Sequence, residues 1–124
     1  MLWAVVAVGG AAGALARYAL ALWLTPLAPA FPWATLTVNV VGSFLIGVVL
    51  VLSDERGTID PLMRTLLAVG VLGGFTTFSS FSVETLRLWE TRALWVAVAN
   101  VGANVGACLL AVALGVATTR NVTA

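Results

Sequence analysis

Apolar residues do not alternate along this chain; they run on in four long blocks, and polar residues gather between them. A helix needs about 20 residues to cross the hydrocarbon core of a bilayer. The blocks predict spans over residues 2–24, 33–52, 61–89 and 93–117. The first closes at Thr25-Pro26, the second lies between Pro32 and the polar run Ser53-Asp54-Glu55-Arg56-Gly57, and the third opens on Pro61, a good first-turn residue. Trp3, Trp23, Trp33, Trp89 and Trp95 fall near span ends, where an interfacial aromatic belt sits. The expected architecture is one all-α, four-helix transmembrane domain filling residues 1–124, with no residues left for a soluble domain.

Composition supports lipid as the solvent. Hydrophobic residues make up 61% of the 124 positions and charged residues 9%; mean hydropathy is +1.09. A soluble surface carries far more charge, about 25% of residues. The net charge of +1 and the lack of a basic run give no reason to expect nucleic acid. With no histidine, His-based metal binding and acid/base chemistry are excluded. A single cysteine, Cys108, forms no intrachain disulfide. Ala14-Leu15-Ala16 has the form of a leader cleavage site, yet no basic residue precedes the first block, so a retained span is expected.

Flanking arginines set orientation. Arg56, Arg64 and Arg120 fall on one side, Arg87 and Arg92 on the other. So small a bias permits both orientations, hence an antiparallel dimer; one fixed topology is the other reading. Gly9/Gly13, Gly70/Gly74 and Gly102/Gly106 each fit GxxxG, the spacing for close helix approach. Spacing alone leaves open whether the contacts lie within or between subunits.

Polar groups inside lipid are costly and point to function or packing. Arg17 either snorkels to the headgroups or faces a water-filled cavity. Thr35, Asn39 and Ser43 form one stripe at spacings of four, as do Asn100, Asn104 and Cys108. Each stripe reads as interhelical hydrogen bonding or as a polar track. The run Gly73-Gly74-Phe75-Thr76-Thr77-Phe78-Ser79-Ser80-Phe81-Ser82 interrupts a third span longer than crossing requires. Two glycines followed by hydroxyls predict a break near the middle, which frees carbonyls for a cation and N–H groups for an anion. The alternative is a kinked helix whose Ser and Thr bond back to carbonyls. Glu84 follows near the membrane, as an acceptor for hydroxyls or a partner for Arg17. Aromatic ring edges are electropositive. Uncharged donors, ring edges and one arginine, with no nucleophile–base pair, suit passage of a small anion better than an enzyme.

Three motifs, in order, carry a resemblance that spans essentially the whole chain. They are Gly9-Gly10-Ala11-Ala12-Gly13-Ala14-Leu15-Ala16-Arg17-Tyr18, Thr35 to Phe44 with its Asn39-x-x-Gly42, and Gly73 to Glu84. The chain resembles the Fluc/CrcB fluoride channels. The resemblance implies an antiparallel dual-topology homodimer in the plasma membrane that lets fluoride leave the cytoplasm passively. Some members pair two related chains, which leaves a heterodimer open. It implies that Phe78 and Phe81 line the fluoride path, that Asn39 donates beside them, and that Thr35, Thr77, Ser80 and Glu84 form a polar track. Arg17 matches the first-helix arginine, and Asn100 and Asn104 match polar positions of the last helix. Backbone carbonyls of Gly73 and Thr76 would hold a structural Na⁺ at the dimer interface. A small multidrug-type proton antiporter is the runner-up by length and helix number, but its first helix needs a carboxylate, and here that helix carries Arg17. A non-transporting membrane assembly subunit is the third reading.

Overall fold

A computed structural model describes residues 1–123. Among them the fold is all-helical, with four helices long and apolar enough to cross a membrane: Leu2–Leu24, Trp33–Glu55, Pro61–Thr91 and Leu94–Val122. We label Leu2–Leu24 α1 and Trp33–Leu50 α2; a wider π-type turn, Val51–Glu55, prolongs α2. Residues 61–75 form α3, which is π-type over Thr65–Leu72. Phe78–Thr91 is α4 and Leu94–Val122 is α5.

Two ends differ from the sequence expectation by more than two residues. The second span continues through Glu55 instead of stopping at residue 52, and the fourth reaches Val122 instead of 117. In the fourth, Thr118 and Thr119 donate to the carbonyls of Leu114 and Gly115, at 2.7 Å each, and so stay within the helical ladder. Arg120 then reaches Glu55 Oε2 at 2.9 Å, tying the ends of α5 and the second span together. Gly57, with φ +61°, turns the chain back toward α3. Asp60 caps α3 by accepting from Met63 N at 2.9 Å, and Pro61 occupies the first turn.

Packing rests on small residues. α1 lies along α3, α2 along α5, and α4 leans on α5. The only residues α1 buries are Gly9 and Gly13. A Cβ on Gly13 would stand 2.0 Å from the Val71 carbonyl oxygen, and one on Gly74 would stand 2.4 Å from that of Gly10. The first two GxxxG pairs therefore meet each other within one chain. Across the subunit, Gly47 and Gly115 bring α2 and α5 equally close: their added Cβ atoms would meet Val112 O and Phe44 O at 2.5 and 2.2 Å. Trp3, Trp23, Trp95, Leu109 and Leu110 are exposed, as side chains solvated by lipid are.

Candidate functional site

The run from Gly73 folds differently from the simplest reading of its glycines. Gly73 and Gly74 are helical, and Gly74 lets α3 reach α1. The helical angles stop at Phe75, and it is Thr76 (φ −80°, ψ 158°) and Thr77 (φ −152°, ψ 121°) that are extended. β-branched threonines favour that region. Thr77 then caps α4: its hydroxyl oxygen accepts from Ser80 N at 3.2 Å.

Extended backbone inside a membrane must find partners for its polar groups. Asn39 supplies them. Its Oδ1 accepts from Thr77 N at 2.9 Å, and its Nδ2 donates to Thr77 O at 3.1 Å. One side chain thus satisfies both polar groups of the Thr77 backbone, as a neighbouring strand would. Gly42, one turn further along α2, makes room for this: a Cβ there would stand 2.2 Å from Thr76 Cγ2.

The second N–H of Asn39 donates to Asn104 Oδ1 at 3.1 Å. Asn104 in turn donates to Asn100 Oδ1 and O, both at 3.1 Å. Asn100, 0% exposed, donates to Thr85 Oγ1 at 2.8 Å, and Thr85 donates to Phe81 O at 2.7 Å. Asn39 of the α2 stripe and Asn104 and Asn100 of the α5 stripe therefore form one ladder, running from α2 through α5 to α4. Such chains polarise one another in low-dielectric surroundings.

Two cavities flank the ladder, and Thr77 lines both. The larger, about 450 Å³, is bordered by Asn39, Ser43, Phe78, Phe81, Asn104 and Cys108. The rings of Phe78 and Phe81 are tilted at 60° with centroids 5.2 Å apart. Phe81 is buried, whereas Phe78 is 77% exposed and projects from the subunit. The smaller cavity, about 160 Å³, is bordered by Arg17, Tyr18, Thr35, Thr77, Ser80 and Glu84. Thr35 donates to Glu84 Oε1 at 2.8 Å, while Glu84 Oε2 is buried without a partner. Arg17 does not pair with Glu84 among the described residues; its Nε donates to Gly74 O at 3.1 Å. It is half-buried and turned into the subunit.

The carbonyls expected from the resemblance to hold Na⁺ can be tested against this network. In an unbroken helix Gly73 O would accept from Thr77 N, and Thr76 O from Ser80 N. Here Thr77 N is taken by Asn39 and Ser80 N by the Thr77 hydroxyl. The Asn39 clamp and the Thr77 cap thus each take one donor from the helical ladder, and the two carbonyls left have the chemistry that fits a hard cation. Among the described residues no cluster of three or more Asp, Glu, His or Cys side chains offers another metal site.

Every site residue singled out from the sequence falls into one of these groups. Thr85 was not singled out, although it joins the ladder to α4; a hydroxyl one residue past Glu84, inside a span, was the available signal. Gly42 was legible only as part of the Asn39-x-x-Gly42 spacing.

Residues 4–116 match the family model described as CrcB-like protein, Camphor Resistance (CrcB). A fluoride-specific ion channel FluC of Saccharophagus degradans is 46% identical over 121 residues, 98% of this chain and 91% of the relative. The protein of that name from Sorangium cellulosum is 43% identical over 98% of this chain and 97% of the relative. That from Agrobacterium fabrum is 47% identical over 95% of each.

Proposed function

The chain belongs to the CrcB-like family, and from that membership we propose that it is a fluoride-selective channel, passing F⁻ passively out of the cytoplasm. It is a multi-pass membrane protein, which in a bacterium places it in the plasma membrane. The observation that carries the reading is the clamp of Asn39 on Thr77, set between two cavities and beside a phenylalanine pair.

Fluoride is small and holds its water strongly, so a pore must replace that water with donors. Conduction also requires that each site release the ion. Amide N–H groups, hydroxyls and ring edges are donors of moderate strength, and they suit both demands. A narrow path built from them disfavours the larger, more weakly bonded chloride. HF that enters from an acidic exterior ionises inside, and a passive channel lets the resulting F⁻ leave down the membrane potential. The antiporter reading gives way, since α1 carries Arg17 and no carboxylate, and the assembly-subunit reading gives way to the family.

The finer architecture is part of the same proposal. Two chains associate antiparallel, so that the projecting Phe78 of each completes a path on its partner. The interruption at Thr76-Thr77 divides the third span into two half-helices. Na⁺ sits between the subunits, held by the Gly73 and Thr76 carbonyls of each, as unwound carbonyls hold Na⁺ in other membrane proteins.

Fluoride release from liposomes holding this chain alone tests the channel. A fluoride electrode follows release after a potassium ionophore relieves charge build-up, with chloride as control. Fast fluoride release without chloride release is expected, slowed by Phe78→Ile and Asn39→Ala; no release from well-folded protein rejects a self-sufficient channel. Exchange of Na⁺ for a large organic cation is expected to weaken the dimer, and unchanged stability and flux reject the sodium assignment.

A further inference from the structure

We infer that Asn104 tunes the fluoride path as a positioning residue: its side-chain oxygen stands on the Asn39 amide where the anion would bind, and fluoride enters by exchange with it. The inference rests on the fluoride-channel reading and deepens it.

Two of the three Asn39 contacts fix its plane. Oδ1 and one N–H grip Thr77, and the second N–H is the one that bonds to a side chain able to leave, Asn104. Both residues border the cavity of about 450 Å³ that Phe78 and Phe81 also line. In this arrangement Asn39 has no idle donor, and an anion that takes one must displace an acceptor. Displacing Thr77 O would strand a backbone carbonyl inside the membrane. Displacing Asn104 Oδ1 breaks only a neutral side-chain bond.

Asn104 is itself held so that it shows the cavity an oxygen. Its Nδ2 donates to both Asn100 O and Asn100 Oδ1, and Asn100 is wholly buried. Turning the amide to offer fluoride an N–H would break both of those bonds. A hydrogen bond to an anion is roughly twice as strong as a neutral one, so a fluoride that has shed its water at this donor gains by the exchange. The displaced carbonyl dipole stays beside it, however, and favours its departure. Chloride, larger and a weaker acceptor, gains too little to drive the swap. Asn104 thereby sets how much fluoride is needed to occupy the site, and how fast it leaves.

Side-chain amide NMR of the full-length dimer, labelled with ¹⁵N-asparagine, reads the exchange directly under a sodium fluoride titration at constant sodium. The Asn39 and Asn104 amide signals are expected to move together, with one half-maximal concentration. Asn104→Ala removes the competitor, and about a fivefold fall in that concentration is expected for Asn39, the ratio one net hydrogen bond provides. Asn104→Asp supplies a stronger, charged acceptor and is expected to raise it. A merely structural Asn104 would shift both variants in the same direction. Where either variant fails to give a monodisperse dimer, Asn104→Ser, whose shorter hydroxyl falls short of Asn39, is expected to act as Ala does. An Asn104 signal that stays still while Asn39 moves overturns the inference, as do shifts of the same sign in the Ala and Asp variants. Liposome flux separates the two levels. Selective wild-type flux with these negative results removes only the exchange, whereas no flux and no Asn39 shift removes the channel reading with it.

Discussion

The α1–α3 seam and the α2–α5 seam both bring helices to near backbone contact, but they use the closeness differently. Along α1–α3, Gly9 and Gly13 meet Gly70 and Gly74, and the only side-chain hydrogen bond is Arg17 to Gly74 O. This seam is held by van der Waals contact, the main source of helix association where lipid removes the hydrophobic drive. Along α2–α5, Gly47 and Gly115 set the distance, and Asn39, Asn104 and Asn100 fill the space with directed bonds. The first seam makes a wall and the second makes a wall that carries polar groups. The difference teaches that close approach alone makes no pathway; a pathway needs side chains whose donors can change partners.

The largest expected effect breaks the polar seam. Asn39→Leu leaves the Thr77 N–H and C=O without their partner and removes a donor from Asn104. Each stranded buried group costs about 1–3 kcal/mol, so the loss is expected at about 2–6 kcal/mol. Unfolding of the purified protein in detergent measures it, and a loss under about 1 kcal/mol would mean that other groups or water satisfy Thr77. Gly13→Ala attacks the apolar seam instead. Its methyl would meet Val71 O and Phe75 N, both backbone, so relief requires α1 to move from α3. A loss of about 1–3 kcal/mol is expected, the usual cost of overpacking. Ion selectivity should be kept by whatever fraction folds, because no residue of the two cavities changes. Chloride leakage through the folded fraction would show that the wall also shapes the path.

Smaller effects sharpen the comparison at the membrane edge. Arg120 and Glu55 join α5 to the second span through an ion pair whose side chains are 55% and 36% exposed. Exposed pairs contribute about 0–1 kcal/mol. Glu55→Gln is therefore expected to lower stability by less than about 1 kcal/mol, with the loss shrinking as salt is raised. A salt-independent loss would point to packing at this end instead of charge.

The sequence announced these seams unequally. Four spans followed from the length of the apolar blocks, because lipid admits few other solutions. The α1–α3 contact was half visible: GxxxG marked which faces were thin, and only the structure shows that two of the pairs meet each other. Gly47 and Gly115 have no GxxxG partner and gave no signal, though they set the α2–α5 distance. The stripes Thr35/Asn39/Ser43 and Asn100/Asn104/Cys108 were legible as helical periodicity. Their junction through Asn39 and Asn104 was not, since a period along one helix says nothing of its neighbour. Gly73-Gly74 are themselves helical. Gly74 serves the seam with α1, and the extended residues are the two threonines that follow, where Asn39 receives the Thr77 backbone.

The third glycine pair is the sharpest control on this account. Gly102 and Gly106 have the same spacing as Gly9 and Gly13, yet an added Cβ at either would meet nothing within 4 Å. They lie on the exposed face of α5, with Val98, Val105 and Leu109. If glycine spacing mattered in itself, Gly102→Ala would cost what Gly13→Ala costs. If only the close approach matters, the subunit loses no contact, and the methyl gains helix propensity of up to about 1 kcal/mol over glycine. The second outcome is expected: unfolding unchanged or slightly later, measured on the same preparation as Gly13→Ala. Subunit association in bilayers is a separate reading of the same face. A fall in association for Gly102→Ile with unfolding of the subunit unchanged would assign the open pair to the contact between copies. Association equal to wild type would leave that face to lipid, and would leave the projecting Phe78 as the feature a partner must cover.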